Sequence, residues 1–118
     1  MPKGGAVVLA LALVWAAPLQ AAEVGSTDLI RQCKYPRQGK RTIDENADAL
    51  QCLRFVEGFV AGASIVAGPR PLCIPTSATL IQEVDAYLAW ADKHANMVTQ
   101  PRYVTLQRAL ADAFPCPK

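Results

Sequence analysis

Four cysteines, Cys33, Cys52, Cys73 and Cys116, constrain this 118-residue chain more than any other feature. All four follow an apolar leader with the parts of an export signal. Lys3 supplies the positive start, Ala6 to Ala17 the apolar run, and Pro18 breaks it before a small residue, Ala21, at the expected cut. The run is about a dozen residues, short of the ~20 that cross a bilayer. The sequence therefore predicts a signal peptide at 1–21 and one mature domain at 22–118. A chain that leaves the reducing cytoplasm with an even number of cysteines reads as a disulfide framework.

Removing 21 of the 118 residues leaves 97 and takes away Lys3, so the formal net charge falls from +2 to +1. A domain of that size holds a modest core and gains from covalent staples. Near-neutral charge argues against a nucleic-acid partner and against a membrane-surface role. The mature part has no second apolar run long enough to span, so no membrane association is expected after signal cleavage.

The periodicity predicts an all-α fold, a small bundle of about four helices stapled by two disulfides. Ser26 or Thr27 reads as the N-cap of a short first helix that ends at Cys33. A polar loop, Lys34 to Arg41, follows and carries four positive charges in eight residues. It reads as a solvated loop in preference to an anion or partner patch. The second helix is expected from Asp44 to about Ala67. Its stripe is Leu50, Leu53, Val56, Val60 and Ala63, with Phe55 and Phe59 on adjoining rows. Gly58 and Gly62 lie inside it. Glycine costs a helix up to ~1 kcal/mol relative to alanine, so the pair is expected to admit a close-packed neighbour. Gly68-Pro69-Arg70-Pro71 is the expected stop. Thr76 or Ser77 should cap a third helix, Ala78 to Lys93, that buries Leu80, Val84, Tyr87, Leu88 and Ala91. Trp90 reads equally as core anchor or interface aromatic. The last helix is expected from Arg102 to Ala113, with Val104, Leu106, Leu110 and Phe114 apolar and Pro115 as its stop.

No chemistry-bearing constellation emerges. Successive cysteines are separated by 18, 20 and 42 residues, with no paired metal-ligand spacing and no haem-attachment motif. Neither metal nor cofactor is expected. Asp44, Glu45 and Asp48 sit where acids complement a helix N-terminus. The lone His94 reads as a surface residue at a helix end, and no serine has a nucleophile-elbow setting. Catalysis is not expected. Four cysteines allow three pairings. Cys33–Cys52 with Cys73–Cys116 is favoured, and Cys33–Cys116 with Cys52–Cys73 is the main competitor.

The order of the motifs carries further information. A helix ending in Cys33 is followed by Cys52-Leu53-Arg54-Phe55-Val56-Glu57-Gly58. Then come Cys73-Ile74-Pro75, Tyr87-Leu88 in a helix, and Ala109-Leu110-Ala111-Asp112-Ala113-Phe114-Pro115-Cys116. From Leu29 to Cys116 this resembles the Rap/Tai family of type VI secretion immunity proteins. The resemblance implies a periplasmic, often homodimeric helical protein. Its partner would be a cognate secreted effector, in the Tai branch a peptidoglycan amidase whose active site is covered without catalysis. After Tyr87-Leu88 the family commonly has a His-Pro-Glu-like element, where this chain has Trp90 to Asn96 instead. The connection Lys93 to Pro101 is the expected plug, with Lys93, His94, Asn96 and Met97 as partner-binding residues. The alternative is a small periplasmic stress chaperone of the helical, disulfide-tied type.

Overall fold

The computed structural model describes Gly4 and residues 24–66 and 72–118. Apart from Gly4, the expected signal peptide lies outside those residues, as does the Gly68–Pro71 stop. Among the described residues four α-helices follow in chain order: α1 Ser26–Cys33, α2 Ile43–Ser64, α3 Leu80–Lys93 and α4 Arg102–Ala113. A single 3-10 turn, Ala95–Met97, lies between α3 and α4. Among the described residues no strand forms, and only an isolated bridge joins Gly25 to Pro101. The helical bundle predicted from periodicity is the fold observed.

Two helices start with reciprocal capping. Thr42 accepts from the Glu45 amide while the Glu45 carboxylate accepts from the Thr42 amide. Thr79 and Gln82 do the same for α3. Each box satisfies two amides that a helix start would otherwise leave open. The α3 cap is therefore Thr79, not Thr76 or Ser77. Those two lie in a turn closed by Ala78 N–H on the Pro75 carbonyl at 3.0 Å. The cap of α1 is Gly25, because Ser26 is already helical and its hydroxyl is engaged elsewhere.

All four helices bury one face in a shared core. Leu29 and Cys33 of α1, Cys52 and Val56 of α2, Tyr87 of α3 and Leu106 and Leu110 of α4 are at most 2% exposed. Burying a side chain of leucine size stabilises by roughly 1.5–3 kcal/mol, so these residues dominate the packing term. The inward face of α2 is Ala49, Cys52 and Val56. Leu50, expected in the stripe, is 57% exposed. It stands one residue, about 100°, away from Ala49 and off the buried face. At the α4 start, the Arg102 guanidinium lies 4.0 Å from the centre of the Phe55 ring. That contact ties α4 to α2 and offsets the poor placement of a cation at a helix N-terminus.

The glycine pair does not serve close approach. A Cβ built on Gly58 or Gly62 meets nothing within 4 Å. Among the described residues that side of α2 opens on a cavity of about 320 Å³ shared with Leu72 and with Gln107 of α4, so the expectation of a tightly packed neighbour is overturned. α2 also ends at Ser64, with Ile65 as its cap, earlier than the expected Ala67.

The disulfides are Cys33–Cys52 and Cys73–Cys116, the favoured pairing. The first joins α1 to α2 inside the core. The second joins the segment before α3 to the tail after α4. Each closes a chain loop whose restriction in the unfolded state is worth roughly 2–4 kcal/mol.

Candidate functional site

The connection from α3 to α4 is built on Trp90, His94 and Asp112. Trp90 is 8% exposed, and its indole N–H donates to Asp112 Oδ2 of α4 at 2.8 Å. The His94 ring stacks on the indole, with centroids 4.1 Å apart and planes 13° from parallel. His94 Nδ1 lies 2.8 Å from the Trp90 carbonyl, which can only accept, so Nδ1 is the donor. Trp90 is thus a core anchor. His94 caps α3 half-buried on that anchor and is not the free surface residue the sequence suggests.

Beyond His94 the backbone closes on itself. Met97 N–H donates to the His94 carbonyl at 2.8 Å, and Gln100 N–H to the Met97 carbonyl at 2.9 Å. Three hydroxyls then fasten the far end to α1. The Gln100 carbonyl can only accept, so Ser26 donates to it, at 2.5 Å. Ser26 has then spent its proton and accepts from Thr105, 2.7 Å away, whose one proton is shared with the Arg102 carbonyl at 3.2 Å. Thr105 in turn accepts from the Tyr87 phenol at 3.0 Å. The result is a hydroxyl network that joins Tyr87, Thr105 and Ser26 to the loop and to the first turn of α4. Burial pushes the Tyr87 phenol above its ordinary range, while its hydroxyl partners pull the other way. It stays a neutral donor at physiological pH. No local signal in the sequence marks this network, because its members lie in α1, α3 and α4.

The four predicted partner-binding residues divide by position. Lys93 and Asn96 are exposed, whereas His94 and Met97 are half-buried. Lys93 and His94 line a surface cavity of about 290 Å³ between α3 and α4, with Trp90 and Asp112 in its wall. Asn96 and Met97 do not reach that cavity. Met97 packs against the core and acts as the inner anchor of the turn.

Other candidates resolve into structure. Arg37 of the basic loop forks onto the Asp85 carboxylate, holding it below the usual carboxylate range. Arg41 grips the Tyr35 and Pro36 carbonyls at 3.0 and 3.1 Å. Lys34 and Lys40 stay exposed. Asp44 and Glu45 occupy the first turn of α2, and Asp48 pairs with Arg31. Among the described residues no three His, Cys, Asp or Glu side chains gather as a metal site, and no helix is long and apolar enough to cross a membrane.

The family model of the Rap1a immunity proteins matches residues 25–116, from the cap of α1 to the last cysteine. The chain belongs to the Rap1a immunity protein family. No curated protein and no solved structure matches it. For a Rap1a immunity protein the expected role is immunity to a type VI effector. Membership of the family implies binding of a cognate effector.

Proposed function

We propose that this protein is exported by its 1–21 signal to the periplasm and there binds a type VI secretion effector, a peptidoglycan amidase. It blocks the enzyme by seating the Lys93–Pro101 connection in the catalytic cleft. Membership of the Rap1a immunity family is the observation that carries this reading. The disulfides suit an oxidising compartment. The form of the connection supports it further. A loop already hydrogen-bonded at both ends loses little conformational freedom on binding. Lys93 and Asn96 are the groups offered to the partner, with His94 and Met97 holding their base in place. A homodimer displaying two such loops is part of the same proposal.

The test is binding of the purified protein to an amidase effector encoded beside it, with peptidoglycan hydrolysis as the second readout. Lys93→Glu with Asn96→Arg alters two exposed side chains and leaves the core intact. The pair should weaken binding at least tenfold at unchanged thermal stability. Unchanged affinity would remove the loop from the interface while leaving the immunity role standing.

A further inference from the structure

The two disulfides differ in where they lie. Cys33 and Cys52 are 2% and 0% exposed and belong to the hydrophobic core with Leu29 and Val56. Cys116 is exposed, Cys73 is half-buried, and neither belongs to that core. We propose that Cys73–Cys116 is a redox latch, which a dithiol opens in the folded protein to uncover an apolar cleft while Cys33–Cys52 stays closed.

Access decides the order of reduction. A thiolate must approach a sulfur directly, so an exposed disulfide reacts from the native state and a buried one only after local opening. At Cys33–Cys52 that opening means parting α1 from α2 along their shared core. At Cys116 no helix has to move. The attacking thiolate bonds to Cys116 Sγ, the Cys73–Cys116 bond breaks, and Cys73 leaves as a thiolate that takes up a proton. The second thiol of the reagent then attacks the mixed disulfide and releases Cys116. Two electrons pass from the dithiol, which ends as a disulfide, to the cysteine pair.

The latch closes over an apolar surface. A cleft of about 350 Å³ is walled on α2 by Val60 and Ala63, and opposite by Leu72, Cys73, Ile74 and Pro117. Its outer wall is the two segments that the disulfide joins, and neither is helical. Breaking the bond lets the Pro117 tail part from Cys73 and exposes the α2 side. Opening this bond gives up its share of unfolded-state restriction, but other ties hold the bundle. α3 and α4 remain joined by Trp90–Asp112 and Tyr87–Thr105, and α1 and α2 by the inner disulfide. The device is independent of the immunity reading and holds whatever the partner is.

Timed exposure of the oxidised protein to dithiothreitol without denaturant, followed by alkylation and peptide mapping, tests it. The expected product is a species labelled at Cys73 and Cys116 alone, formed at least tenfold faster than the four-label species. It should keep its helical circular dichroism and bind more of an apolar dye than the oxidised protein. Simultaneous labelling of all four cysteines, or early labelling of Cys33 and Cys52, overturns the proposal. So does a two-label species with no gain in dye binding. Cys73→Ser with Cys116→Ser should give the same dye binding with no dithiol present, and loss of its helical signal would equally contradict the latch.

Discussion

The indole N–H of Trp90 donates to Asp112 across the α3–α4 interface at 2.8 Å, and His94 stacks on that same indole. One side chain therefore couples helix packing to the base of the proposed binding loop. Asp112→Ala leaves a buried donor unpaired, which costs about 1–3 kcal/mol. Chemical denaturation should show that loss, and effector affinity should fall with it, because His94 loses a fixed platform. Asp112→Asn keeps an acceptor and should recover most of both.

Thr105 is the middle of the hydroxyl network between Tyr87 and the Gln100 carbonyl. Thr105→Val keeps the shape and removes the bonds to Ser26, Tyr87 and the Arg102 carbonyl. The buried Tyr87 phenol is then left without an acceptor, at a cost of about 1–3 kcal/mol. Ser26→Ala removes the tie to the loop itself. Amide exchange in the 98–101 stretch should speed up in that variant more than exchange in α2.

The overturned expectation for Gly58 and Gly62 yields a prediction with the opposite sign. Open space surrounds both sites, so an added methyl meets no clash and helix propensity alone decides. Gly58→Ala and Gly62→Ala should each stabilise by up to about 1 kcal/mol. Denaturation midpoints of the two variants and their combination are the measurement.

Glu83 is only 6% exposed, and burial raises its carboxyl above the ordinary range. The folded state then holds a proton that the unfolded state has released. Between the unfolded and folded values, stability falls as pH rises. Glu83→Gln should raise the melting temperature at pH 7. The gain should vanish below about pH 4, where the carboxyl is neutral in both states. Asp85 has the opposite sign. Its carboxyl is lowered by Arg37, so its contribution is lost as pH falls through the folded value.

Much of this architecture was readable because local rules agreed. The bounds of α4 follow from apolar spacing and from Pro115, and they match the structure. The caps carry a local signal as well, an acceptor side chain three residues on. Thr76 and Ser77 are the expected caps of α3, but it is Thr79 that pairs with Gln82 three residues on and starts the helix. The face of α2 was harder, because that helix carries apolar residues on more than one side. Small residues, Ala49 and Cys52, face inward while the larger Leu50 faces out. Spacing alone also could not tell a glycine notch filled by a neighbour from an empty one. The loop's supports were not legible at all. Trp90 meets Asp112, and Ser26 meets Thr105, only through tertiary packing of residues 22 and 79 positions apart.

The central claim is that an immunity protein of this fold blocks an amidase through the Lys93–Pro101 connection. Isothermal titration of the oxidised protein against its neighbouring amidase effector, run beside a peptidoglycan hydrolysis assay, tests it most directly. The account predicts a tight one-to-one site that abolishes hydrolysis, with affinity lost in the Lys93→Glu, Asn96→Arg variant. Binding that leaves hydrolysis intact, or no binding by a correctly folded protein, would contradict it.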